Sequence, residues 1–126
     1  MIILMKSDVS KILLAGQWRA SQASEYFQAE NPSTGEWLPA RYPVSRRDEV
    51  FQAVRAGADA AEALRGASAE MIAGFLEACA EGLEQRAAEL VEMAHSETAL
   101  PKAPRLRNVE LPRTTDQLRQ AARVAR

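Results

Sequence analysis

Tyr26-Phe27-Gln28-Ala29-Glu30-Asn31-Pro32-Ser33-Thr34-Gly35-Glu36-Trp37-Leu38 decides how the first part of the chain folds. Two β-prone runs flank a cluster of turn formers. Pro32 pre-sets its own φ, Asn31 and Ser33 bond back to the backbone, and Gly35 closes the loop where a side chain would be strained. This pattern predicts a β-hairpin over 26–38. Upstream, Ile12-Leu13-Leu14, then Ala15-Gly16, then Gln17-Trp18-Arg19 predicts a shorter hairpin, with Gly16 supplying the positive φ of a tight turn.

Downstream of Ser45 the period changes from two to that of a helix. Ser45-Arg46-Arg47-Asp48 reads as a capping box with aspartate in the usual glutamate place. Val50, Val54, Ala58, Ala61 and Leu64 then form one apolar stripe, and Gly66 marks its end. Ser68 is placed to cap the next helix, whose predicted core face is Ile72, Phe75, Leu76, Cys79 and Leu83. Gly82 and Glu84-Gln85-Arg86 predict a break, after which Ala87, Leu90, Val91 and Ala94 carry a third helical run. Gly57 and Gly74, inside helical patterns, read as points of close helix contact. Pro101 and Pro104 interrupt the chain. A last helix is expected from near Leu111, with Pro112 in its first turn, through Leu118, Ala121, Ala122 and Val124. That pattern runs uncapped into Arg126, and no series of parallel-sheet strands covers the helices. The expectation is a truncated piece of a larger domain.

Composition narrows the function classes. The 126 residues are 47% hydrophobic and 26% charged, an ordinary globular mixture rather than a disordered one. One cysteine excludes an internal disulfide, and one cysteine with one histidine excludes a Cys/His zinc site. No run reaches the ~18 apolar residues of a membrane span, and no signal-peptide pattern opens the chain, so the expected location is cytoplasmic. The net charge of −1 hides a segregation: residues 59–101 carry 2 basic and 9 acidic groups, residues 102–126 carry 7 basic and 2 acidic. The basic groups are spaced rather than massed and no aromatic is interleaved with them, which argues against nucleic acid. The two segments are expected to pair with each other or with solvent.

No active site assembles from these residues. Cys79 and His95 lie 16 positions apart, about 24 Å if residues 68–96 form one straight helix, too far for a nucleophile–base pair, whereas a break near Arg86 would fold them closer. Cys79 reads as a buried core residue, and His95 as a cation at a helix end. The six glycines form no phosphate-binding loop. The carboxylates on the acidic helices describe a solvated face.

Taken in order, the motifs resemble the N-terminal portion of NAD(P)-dependent aldehyde dehydrogenases. Leu13-x-Ala15-Gly16-x-Trp18 is similar to that family's opening strand pair, Asn31-Pro32-Ser33-Thr34-Gly35-Glu36 to its turn, and Asp48–Val54 to the start of its first helix. Where most members carry Glu-Thr-Gly-Lys-Pro, this chain reads Glu97-Thr98-Ala99-Leu100-Pro101. That departure, with Glu110-x-x-Arg113-Thr114-x-x-Gln117-Leu118-Arg119 after it, is similar to the α-ketoglutarate semialdehyde dehydrogenase branch. The resemblance covers residues 12–126, leaving 1–11 as an unassigned extension.

The resemblance implies an α/β parent fold, of which this chain would be an incomplete domain, mainly helical with two N-terminal β-hairpins. Intact members oxidise an aldehyde to the acid with NADP or NAD, through a thiolate, a thioester and a hydride transfer. The family's cofactor loop, general-base glutamate, nucleophilic cysteine and oxyanion asparagine lie beyond the position of Arg126, and Cys79 matches none of them. No catalytic, cofactor-binding or metal residue is therefore expected here, and no activity from the chain alone. The helix over 109–124 corresponds to one that lines the mouth of the substrate tunnel. It assigns Val109, Arg113 and Gln117 to the substrate entrance, with Arg113 receiving a substrate carboxylate. Expected partners are the remainder of the dehydrogenase or another copy of the chain. The alternative is an autonomous, non-enzymatic helical interaction module.

Overall fold

The computed structural model describes residues 9–126. Its elements are β1 (Ile12–Leu14), β2 (Gln17–Arg19), β3 (Tyr26–Asn31), β4 (Glu36–Pro43), α1 (Arg47–Leu64), α2 (Ala69–Gln85), α3 (Ala87–Thr98) and α4 (Leu111–Ala125). A wide-wound helical segment, Lys102–Glu110, precedes α4. The chain divides into two compact units. One holds the described residues up to Glu30 with Glu36–Arg65, the other Asn31–Gly35 with Gly66–Arg126. Of the expected extension over 1–11, residues 1–8 lie outside the described residues; Val9 forms a parallel bridge with Arg41, and Ser10 N–H donates to Arg41 O at 2.8 Å.

In the first unit β1 and β2 pair antiparallel, Ile12 opposite Arg19 and Leu14 opposite Gln17. Ala15 and Gly16 make the turn with φ of 48° and 77°, so the left-handed conformation extends to a non-glycine residue as well. The second strand pair, β3 with β4, runs on to Pro43, five residues past the expected end at Leu38. Between them Asn31 builds the turn: its side chain accepts from Ser33 N–H (2.9 Å), its carbonyl from Gly35 N–H (2.8 Å), and Gly35 has φ 72°.

Helix α1 begins one residue later than the capping reading placed it. Arg46 is the N-cap, and Glu49 rather than Asp48 reaches back to its N–H, at 3.1 Å. With the cap at Arg46, Glu49 rather than Asp48 is the third helical residue, the position from which a carboxylate reaches back to the cap. Its apolar stripe lies open. Val50, Val54 and Leu64 are 49%, 65% and 57% exposed, so the stripe exists but nothing among the described residues of its unit covers it. The close contact expected at Gly57 is also missing: an added Cβ would meet no atom within 4 Å.

The second unit is built on α2 against α4. Ala73 and Ala80 on α2, with Thr115 and Ala122 on α4, are at most 1% exposed. Small side chains let the helix axes close up, and Thr115 satisfies its hydroxyl on the carbonyl of Pro112, at 3.2 Å. Ser68 caps α2 as expected, accepting from Met71 N–H at 3.1 Å. The expected core face of α2 is the neighbouring one, and the structure corrects it. Phe75 is 67% exposed and Ile72 36%, while Leu76, Cys79 and Leu83 are half-buried. Gly74, like Gly57, faces open space. On α4 Ala122 is buried, but Ala121 and Val124 are exposed.

Ion pairs edge the same seam. Arg119 forks onto both oxygens of Glu84 (2.6 and 2.7 Å). Arg126 spans Glu70 and Glu77 with contacts of 2.7–2.9 Å. The acidic and basic segments thus meet one another, with α2 and α4 antiparallel. The Arg126 guanidinium holds the Glu70 and Glu77 carboxyls below their ordinary range, as Arg119 does for Glu84.

Candidate functional site

The break at Arg86 (φ −101°, ψ 15°) turns α2 into α3. Helix α3 ends at Ala99, whose φ of 59° lets its N–H return to His95 O at 2.9 Å. His95 Nδ1 lies 2.8 Å from the carbonyl of Leu100. A carbonyl only accepts, so it is Nδ1 that donates in this bond. His95 therefore fastens the exit of α3, a helix-end role as the sequence suggested. Lys102 adds an ion pair to Glu92 at 2.5 Å. Cys79 is a free thiol on another helix, and its half-burial corrects the reading of a fully buried core residue. No contact joins it to His95.

After Pro101 the backbone is extended at Ala103 (φ −132°, ψ 142°) and then winds wide. Leu106 N–H bonds to Pro101 O, and Leu111 N–H to Leu106 O, each five residues back. Leu106, 7% exposed, is the anchor of this stretch. With Glu110, Leu111 and Thr114 it faces Leu90, Val91 and Ala94 of α3 across a groove of about 150 Å³. Arg105 pairs with Glu110 at 2.5 Å on its rim. No sequence pattern points to this groove, because a wide turn shifts residues off the helical period.

The residues expected at a substrate entrance, Val109, Arg113 and Gln117, sit at this junction. The backbone is helical through Glu110 (φ −71°, ψ −44°) and Leu111, so Pro112 falls inside the first turn of α4 without breaking the face. Arg113 and Gln117, one turn apart, share a face of α4, and Val109 precedes them one turn earlier. All three are exposed. Arg113 makes no ion pair or hydrogen bond with the described residues, whereas Arg105, Arg119 and Arg126 are paired with glutamates.

A buried carboxylate is the feature that sequence reading missed. Glu49 accepts from Ser21 Oγ (2.7 Å), Gln22 N–H (3.0 Å) and Arg46 N–H (3.1 Å), and is 3% exposed. The Ser21 hydroxyl first, then the Gln22 amide, hold its carboxyl below the ordinary value of 4.5 against the opposing effect of burial. All its oxygens are used inside the chain, so it serves as a pin between the 21–23 loop and α1. An acidic third residue of a helix beside a serine-containing loop was the available signal.

Among the described residues no glycine-rich loop leads into a helix N-terminus to cradle the pyrophosphate of a dinucleotide. Among the described residues the helix N-termini that would offer free N–H groups are engaged: Glu49 closes α1, Ser68 caps α2, α3 grows out of α2, and α4 out of a helical segment. Nor do three or more His, Cys, Asp or Glu side chains converge among the described residues to hold a metal ion.

Known proteins share this arrangement. The profile of the aldehyde dehydrogenase family matches residues 18–126. Alpha-ketoglutaric semialdehyde dehydrogenase 2 of Azospirillum brasilense is 36% identical over 115 residues, covering 90% of this chain and 22% of that protein. Malonate-semialdehyde dehydrogenase 1 of Geobacillus kaustophilus is 45% identical over 51 residues, 40% of this chain and 10% of that one. In backbone course the chain is similar to an NAD-dependent benzaldehyde dehydrogenase from Corynebacterium glutamicum, with a TM-score of 0.81 at 21% identity over 92% of this chain and 25% of that structure. The chain thus spans a quarter or less of the length of these relatives. With the profile running from β2 to the end of α4, the chain belongs to the aldehyde dehydrogenase family.

Proposed function

We propose that this chain forms the N-terminal layer and substrate entrance of a dehydrogenase that oxidises a carboxylate-bearing semialdehyde to the diacid, with α-ketoglutarate semialdehyde as the first substrate to test and NADP or NAD as the oxidant. The catalytic thiol, general base and cofactor loop come from polypeptide beyond the region described, and the chain alone is inactive. Its setting is the cytoplasm and its partner the remaining dehydrogenase polypeptide, with no nucleic acid involved. Both curated relatives are named for semialdehydes that end in a carboxylate, which supports this substrate class. The observation that carries the reading is Arg113, an exposed guanidinium at the start of α4 with no ion-pair or hydrogen-bond partner among the described residues. A planar fork in that state receives a carboxylate through two parallel hydrogen bonds.

Grafting this segment onto the Azospirillum relative and substituting Arg113→Met tests the assignment. Loss of a charge-assisted pair predicts a KM for α-ketoglutarate semialdehyde raised about tenfold to a hundredfold, with neutral aldehydes of equal length unaffected or improved. An unchanged KM for the acidic aldehyde, with no gain for neutral ones, refutes the role of Arg113. Against an autonomous helical module stand the uncovered apolar faces of α1 and α2, which a self-sufficient domain would bury.

A further inference from the structure

Helix α2 is apolar on two sides, and its own unit uses one. Ala73 and Ala80 meet α4; one residue back along the chain, about 100° round the helix, Ile72 and Cys79 lie with Phe75, Leu76 and Leu83 on a second face. The first face is lined with alanine, suited to close helix approach, and the second with large side chains, suited to an interlocking surface. Phe75 is two-thirds exposed, and over Gly82 an added Cβ would meet nothing within 4 Å. A mid-helix glycine destabilises a helix, so an open one on an apolar face suits backbone brought close by a partner.

We infer that the Phe75–Leu76–Cys79–Leu83 face of α2 seats the polypeptide that its family relatives carry beyond the region matched here, an inference that rests on the partner reading above. Two observations favour that occupant. The relatives are at least four times the matched length, so chain of the right kind is available to cover the face. A second copy fits poorly, because self-pairing sets two α2 helices side by side, each with four glutamates (Glu70, Glu77, Glu81 and Glu84) offset by only two arginines, Arg119 of α4 and Arg126 at its end, so that a net negative charge meets its like.

The full chain is co-expressed with the part of the Azospirillum relative that lies beyond the matched region. Modification of Cys79 by a thiol reagent is followed by mass analysis of its peptide. The expected result is co-elution as a one-to-one complex, with Cys79 labelled at least tenfold more slowly than in the chain alone. Phe75→Glu, at an exposed position, should weaken the complex at least tenfold while leaving the helical circular dichroism unchanged; Leu83→Glu repeats the test at the other end of the face. A complex in which Cys79 labels as fast as in the free chain, and which both substitutions leave intact, places the partner elsewhere and overturns the inference while the partner reading stands. Protection of Cys79 in a dimer of the chain alone overturns it in favour of a second copy. Failure of the two polypeptides to associate at all overturns the partner reading and the inference together.

Discussion

Helices α1 and α2 are of similar length and both carry an apolar stripe at helical spacing, yet they end in opposite states. On α2 the alanines beside the stripe are sealed against α4, with Ala73 and Ala80 at 0% exposure. On α1 the only buried residue is a charged one, Glu49, while Val50, Val54 and Leu64 face outward. Periodicity reports which face of a helix is apolar, but what covers that face is a property of the neighbours. The two units therefore respond differently to substitution: α2–α4 through steric fit, the first unit through one hydrogen-bonded carboxylate.

The comparison breaks most directly at the α2–α4 seam. Ala80→Leu forces three additional carbons into a site with no free surface, and should cost about 1–3 kcal/mol, read as a lower urea midpoint. Val54→Leu on α1 adds bulk to a residue already 65% exposed and should stay within about 0.5 kcal/mol of the parent. Equal losses from the two would mean that α1 is as tightly packed as α2.

The next largest effect is expected at Glu49. Glutamine offers one oxygen where Glu49 uses two to receive Ser21, Gln22 and Arg46, so Glu49→Gln leaves a buried donor facing an amide group. The pH dependence separates this from a general loss. The folded carboxyl sits below its ordinary 4.5, so it stabilises the fold fully above that pH. The contribution disappears as pH falls through the lowered value. Melting temperature between pH 7 and pH 3 should fall less steeply for Glu49→Gln than for the parent. Glu70, Glu77 and Glu84 are shifted in the same direction and keep part of the slope in both. Parallel curves would show that the Glu49 charge adds nothing.

Much of the fold was legible because it rests on local chemistry. The Ala15-Gly16 and Asn31–Gly35 turns, the Ser68 cap and the break at Arg86 each need only residues within a few positions. Long-range choices were not. Nothing in the order of residues says that α4 prefers the alanine side of α2 to the side with Phe75. The wide turn after Pro101, which builds the groove around Leu106, has no periodic signature either. At the candidate site, the i, i+4 spacing put Arg113 and Gln117 on one face before the structure did. That Arg113 lacks a partner among the described residues required knowing that Glu70, Glu77, Glu84 and Glu110 are already paired elsewhere.

A smaller effect is expected at the cap of α2. Ser68→Ala removes the acceptor for Met71 N–H and should lower stability by about 1 kcal/mol. Because the hydrogen bond is exposed, water replaces part of it. A loss as large as that from Ala80→Leu would show that the cap, rather than the seam, limits the second unit.

The smallest change runs the other way. Gly57 lies inside α1 with ordinary helical backbone and open space around it, so Gly57→Ala meets no steric obstacle. Alanine loses less backbone freedom on folding and should raise stability by about 0.5–1 kcal/mol, seen as a higher thermal midpoint. The neighbouring groove, bordered by Leu13, Gly16, Ala53, Ala56 and Ala60, gives the result a second meaning. If Gly57→Ala is stabilising in the chain alone but destabilising once the remaining dehydrogenase polypeptide is bound, that polypeptide approaches the backbone of α1 at Gly57. The exposed stripe on α1 would then be covered in the assembled enzyme, as proposed for the second face of α2. If the gain is the same in both states, α1 stays open there, and the contrast between the two helices belongs to the proposed complex as well as to the isolated chain.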